Sequence, residues 1–168
     1  SSKGLAGIFG ALTIPLSYLI TREALPDQKG DTALIAPIFL ATFPQFAIWN
    51  ASGLENSAFN FFLAMGIWRS LQEPKSYRWP WSAVWFFLLA LTRPDGIMYA
   101  ALGGFWCMVY NLHGGRGLAP TVKWLATFFI PFTIFHAWRY NYFAWEFPNT
   151  YYAKDKQHRI ADFNWRGW

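Results

Sequence analysis

Three short polar stretches interrupt an otherwise apolar chain: residues 51–56 (ASGLEN), 92–96 (TRPDG) and 139–154 (RYNYFAWEFPNTYYAK). They carry the side chains best suited to chemistry. Arg93 and Arg139 offer planar guanidinium forks and Lys154 a point charge, which together suit a phosphate. Glu55 and Asp95 carry carboxylates that orient such cations, bind a divalent metal ion or hold sugar hydroxyls. Asn149 and Thr150, directly after Pro148, can cap exposed backbone N–H groups or donate hydrogen bonds to an oxyanion. Tyr140, Tyr142, Trp145, Tyr151 and Tyr152 fit an interfacial aromatic belt or a wall for stacking a sugar. Taken singly, each of these residues has a structural reading. Arg93 to Gly96 makes an ordinary turn with Pro94 and Gly96 as its turn residues, and Glu55 complements a helix dipole.

The elements that must position these residues are apolar helices. The composition is 54% hydrophobic and 21% aromatic against 14% charged, well below the ~25% charged residues of a soluble domain. A helix crossing a bilayer needs about 20 mainly apolar residues. About six segments approach that length: 4–20, 32–49, 54–71, 81–92, 96–112 and 121–140. Pro15, Pro37 and Pro44 fall inside the first two, where neighbouring helices can satisfy the freed carbonyls. The expected architecture is an all-α, multi-pass transmembrane bundle over residues 1–140. A polar and aromatic external segment follows over residues 141–168.

Helix parity gives the bundle two ends. One gathers Arg22, Lys29, Arg69, Lys75, Arg78, Arg116 and Lys123; the other, before the tail, only Lys3, Arg93 and Arg139. The positive-inside rule makes the first end cytoplasmic. All three polar stretches then share the opposite face. There, charges within or near the bilayer pair with one another or serve a pathway, so Glu55, Arg93 and Asp95 are expected to form one cluster. Residues 146–154 are expected to line a pocket there.

Other signals are weaker. Cys107 is the only cysteine and reads as a buried thiol. The three histidines have no metal-ligand spacing, and HGGRG (residues 113–117) reads as a turn. The formal charge of +5 does not argue for nucleic acid, because the aromatics lie within apolar runs and not among basic residues.

The order SGLE, LTRPDG and R-Y-x-Y-F-x-x-x-x-P-N-T-x-Y-A-K resembles multi-pass glycosyltransferases of the GT-C class. Within that class it is similar to the terminal arabinofuranosyltransferase of mycobacterial cell-wall synthesis and its bacterial relatives. The resemblance covers residues 51–154. Ala144 departs from it where relatives often carry Gly. The resemblance implies transfer of a sugar from a polyprenyl-phosphate donor to a cell-envelope glycan or glycoprotein on the outer face of the bacterial cytoplasmic membrane. Glu55, Arg93 and Asp95 would then be catalytic, and Arg139, Tyr142, Asn149, Thr150 and Lys154 would bind substrate. It also implies an acidic general base in an external loop between the first two helices of such enzymes. This chain shows no matching acidic pair ahead of SGLE, so it is expected to correspond to the middle of a longer enzyme. Two other readings stand beside this one: a non-catalytic subunit held among other membrane proteins, and a lipid-phosphate transporter. No metal site is expected from the spacing of ligands, and a divalent metal cofactor stays open.

Overall fold

The computed structural model describes residues 2–26, 31–52, 54–75 and 79–143. The elements are all helical: α1 (Ser2–Ala24), α2 (Ile35–Thr42), α3 (Pro44–Ser52), α4 (Leu54–Gln72), α5 (Trp81–Thr92), α6 (Gly96–His113) and α7 (Ala119–Phe143). Single 3-10 turns, Thr32–Leu34 and Glu73–Lys75, precede α2 and follow α4. The chain divides into two compact units, Ser1–Pro131 and Phe132–Trp168, so the division falls within α7 beside Pro131.

In the first unit α4 packs against α1 and α5, and α5 against α6, while α2 and α3 lie on α1. The observed α5 has the bounds expected from its apolar run, and α4 and α6 each extend one residue further. The segment expected as one helix over residues 32–49 is instead a bent pair. Phe43 takes an extended conformation (φ −81°, ψ 110°) ahead of Pro44, because the proline ring disfavours helical geometry in the preceding residue. Pro44 then opens α3, a position where its missing N–H costs nothing, and the two axes differ by 60°.

Small residues form most of the interior. Ala6, Ala33, Ala58, Ala83 and Ala100 are buried, as are Thr13, Ser57 and Ser82. Many large apolar side chains are exposed, among them Ile38, Phe39 and Ile48 on the bent pair, Met98, Leu102 and Phe105 on α6, and Phe129 and Ile130 on α7. The few large core residues fill grooves made by glycine. Phe86 of α5 lies between Gly66 of α4 and Gly103 of α6, where a Cβ on Gly103 would come within 2.5 Å of its ring. Small interfacial residues let helix backbones approach closely where lipid offers no hydrophobic drive to associate.

Among the described residues one helix, Lys3–Ala24, is long and apolar enough to cross a membrane by itself, and the bent pair passes the same test when its halves are taken together. The apolar helix Trp81–Thr92 has 12 residues. At 1.5 Å per residue it spans about 18 Å, short of the ~30 Å hydrocarbon thickness.

Candidate functional site: the Arg93 cluster

The starts of α4 and α6 and the end of α5 meet at one end of the first unit. Ser57 of α4 donates from Oγ to the Asn50 carbonyl of α3 at 3.1 Å and is fully buried, which fixes the first turn of α4 and with it Glu55. The end of α5 is equally determined. Thr92 Oγ1 donates to the Leu89 carbonyl at 2.7 Å. Arg93 is extended (φ −148°, ψ 146°), as expected of a residue before proline. The Gly96 N–H donates to the Arg93 carbonyl at 3.0 Å, and the Met98 N–H to the Asp95 carbonyl at 3.0 Å, which begins α6. Only glycine fits at position 96, since a Cβ there would lie 2.6 Å from the Leu89 carbonyl oxygen.

This turn carries the Arg93 side chain to the head of α4. Its Nη2 donates to Asp95 Oδ2 at 2.8 Å and its Nη1 to Asn56 Oδ1 at 3.1 Å. Its Nε lies 3.6 Å from Glu55 Oε1. The guanidinium carbon stands 5.5 Å from the centre of the Phe59 ring, and Phe59 is braced edge-on by Tyr99 at 5.7 Å. Asp95 occupies the cap position of α6 yet makes no side-chain cap hydrogen bond; its carboxylate is turned to Arg93 instead. The cluster is accessible, with the side chains of Arg93, Asp95 and Glu55 exposed to 36%, 50% and 63%.

A guanidinium has five N–H donors. The Asn56 and Asp95 bonds use two, so donors remain for a ligand oxygen. The cluster holds two carboxylates and one guanidinium, a formal excess of one negative charge. It therefore favours hydroxyl groups and cations, and it accommodates a phosphate only with further cations. Among the described residues no three His, Cys, Asp or Glu side chains are grouped to hold a metal ion.

The structure thus brings Glu55, Arg93 and Asp95 together. Arg139 and Tyr142 belong to the second unit, where Tyr142 is exposed and stacks on Trp138 at 5.6 Å. Asn149, Thr150 and Lys154 lie outside the described residues, as does the rest of 146–154. Asn56 and Phe59 went unrecognised in the sequence. Phe59 stands four residues after Glu55, a spacing that puts both on one face of a helix, whereas Asn56, directly after Glu55, carried no spacing signal.

The first unit has a second polar constellation, about 27 Å along α4 by helical rise. Glu73 accepts hydrogen bonds from the Ser82 N–H at 2.5 Å and from Ser82 Oγ at 2.7 Å. Ser82 Oγ in turn accepts from Trp124 Nε1 at 2.7 Å. Burial pushes the Glu73 carboxyl above its ordinary value, opposed by the two Ser82 hydrogen bonds and by the nearby charge of Arg69. The HGGRG stretch is the turn expected of it, with Gly115 and Gly117 at φ of 64° and 70°. Cys107 is half-buried, less enclosed than its apolar surroundings suggest, and Asn111 donates to its sulfur at 3.3 Å. Comparison with models of protein families, with curated proteins and with solved structures finds no match.

Proposed function

We propose that this chain is a multi-pass membrane domain of a glycosyltransferase that moves a sugar from a polyprenyl-phosphate donor to a cell-envelope acceptor. The observation that carries this reading is the Arg93 cluster: an accessible guanidinium held by Asp95, Asn56 and Glu55 where three helices end together. Preorganised charge at the point where a leaving group develops negative charge is commonly the largest catalytic contribution. Arg93 meets the leaving phosphate, and the local excess of carboxylate requires further cations, the role that the resemblance gives to Arg139 and Lys154. Glu55 and Asp95 hold Arg93 in place and accept hydrogen bonds from sugar hydroxyls. The resemblance gives supporting contacts to Tyr142, near the end of α7, and to Asn149 and Thr150.

The membrane setting is supported by the inverted distribution of side chains, with alanine, glycine and serine inside and Ile, Phe, Met and Leu outside. The apolar helix Lys3–Ala24 and the bent pair, which passes the same test when its halves are taken together, support this setting, and the expected six crossings are part of the proposal. The charge asymmetry of the connections supports placing the Arg93 cluster on the outer face, and the bacterial cytoplasmic membrane is what the resemblance implies.

Membranes from cells expressing the full-length protein, supplied with a radiolabelled polyprenyl-phosphate sugar, test the reading. Transfer should fall at least a hundredfold with Arg93→Gln at unchanged protein level. Transfer equal to that of the unaltered protein would remove the cluster from the reaction and favour a non-catalytic subunit.

A further inference from the structure

The end of the first unit away from Arg93 holds a cavity of about 260 Å³. Its walls are the end of α4 with the turn after it, the start of α5, the last turns of α6 and the first turn of α7. Among the side chains that line it are Glu73, Ser82, Tyr110, Asn111, Arg116 and Lys123. A single water needs only ~10–15 Å³ measured this way, so the cavity takes a multi-atom polar group with its waters.

Its electrostatics differ from those of the Arg93 cluster. The Arg116 guanidinium lies over the Tyr110 ring at 5.3 Å, and the Lys123 ammonium over the Trp79 ring at 5.0 Å. Aromatic faces thus position both cations. Among the described lining residues Glu73 is the one acid, and both its oxygens accept hydrogen bonds from Ser82. The first turn of the 25-residue α7 lines the same space through Ala119 and Pro120 and adds the partial positive charge of a helix start. Two cations and a helix start against one engaged carboxylate make a site for an anion. A second cavity of about 290 Å³ lies on α6 and α7, lined by apolar residues such as Ala100, Phe105, Leu125 and Phe128. It provides room for a hydrocarbon chain on the two helices that also wall the polar cavity.

We propose that the polar cavity around Arg116 and Lys123 is a phosphate-binding site, and that the phosphate it takes is the headgroup of an anionic phospholipid. Basic pockets between spanning helices are suited to such headgroups. The site is separate from the Arg93 cluster and does not depend on the transferase reading.

Native mass spectrometry of the full chain in detergent tests this, after incubation with phosphatidylglycerol or with phosphatidylcholine. A parallel titration with inorganic phosphate is followed by tryptophan fluorescence. The unaltered protein should retain phosphatidylglycerol at least tenfold over phosphatidylcholine. Arg116→Gln combined with Lys123→Gln should abolish that preference, and Lys123→Arg should preserve it. Lys123 is exposed, so Lys123→Gln alone reads the same loss in a fold kept intact, checked by circular dichroism. Lys3→Gln, on exposed α1 surface, should change nothing, and Arg93→Gln should leave lipid retention intact. Phosphate binding abolished by the same double variant, with no lipid preference, would keep the site and assign it to free phosphate. No lipid preference and no phosphate binding, or preference undiminished in the double variant, would overturn the proposal.

Discussion

Removal of the Ser82 hydroxyl tests the most buried polar connection in the first unit. Ser82 is 0% exposed and Trp124 1%, and the two are joined by the 2.7 Å bond from Nε1 to Oγ. Ser82→Ala deletes a hydrogen bond to a carboxylate, worth ~1.5–3 kcal/mol, and leaves an indole N–H buried without a partner, at a cost of ~1–3 kcal/mol. Glu73 is only half-buried and water can replace part of what it loses, so the low ends apply. Their sum is about 2.5 kcal/mol, roughly a seventyfold shift in the unfolding equilibrium. The assay is denaturant unfolding of the chain in detergent, followed by far-ultraviolet circular dichroism. Trp124→Phe supplies the second arm of a double-mutant cycle, because phenylalanine has no N–H to orphan. In that background Ser82→Ala should cost about 1 kcal/mol less than in the unaltered chain. A loss below about 0.5 kcal/mol for Ser82→Ala would show that the chain from Glu73 through Ser82 to Trp124 contributes nothing to stability, and full additivity of the two changes would show that the Ser82–Trp124 bond does not.

Gly96→Ala should destabilise the first unit by about 3 kcal/mol or more, as overpacking against fixed backbone does, while Gly7→Ala, which meets open space, should be neutral in the same unfolding assay. Arg93→Lys keeps the charge but cannot reach Asn56 and Asp95 together, so transfer in membranes should drop nearly as far as for Arg93→Gln; full activity would reduce Arg93 to a point charge. Glu73 has a folded-state pKa above its ordinary 4.5, so its protonated form is the one that folding favours. Its contribution to stability is fully present below pH 4.5 and is lost as pH rises through the raised value. Glu73→Gln should flatten that decline in a pH series of unfolding curves, and an unchanged pH profile would count against it. With Cys107 replaced by Ala, single cysteines at Pro94 and Leu118, on the connections before and after α6, should react with an impermeant thiol reagent from opposite sides of sealed vesicles; reaction from the same side would refute a membrane-crossing α6.

Helix positions were largely legible in the sequence because apolar runs and proline-glycine punctuation fix them locally. The segments at 54–71, 81–92 and 96–112 became α4, α5 and α6 with ends shifted by a residue at most. The break at Phe43 was legible in principle, since Pro44 restricts the residue before it. Reading Pro44 as a tolerated interruption of one helix missed it. The meeting of Glu55, Arg93 and Asp95 followed from alternating helix direction alone, which puts the 51–56 and 92–96 turns at the same end. Asn56 and Phe59 needed the actual rotation of α4 about its axis, which turn parity does not give. The Glu73–Ser82–Trp124 chain was invisible for a stronger reason. It joins residues 9 and 42 positions apart, and none of the three belongs to a recognisable motif.

The uneven apolarity of the helices bears on how such a chain is made. In the proposed membrane setting, α1 can leave the insertion machinery for lipid unaided, while 12-residue α5 cannot do so at comparable cost and the kinked α2–α3 pair has to enter with both halves together. Those later segments have to wait, still sheltered, until α1 and α4 present the glycine and alanine grooves that receive them. Biogenesis is then a docking sequence templated by α1. A substitution that fills Gly10, whose Cβ would press on Asn50 of α3, would be felt first as a stalled or degraded nascent chain. Yield per transcript would fall before any mature molecule showed a defect.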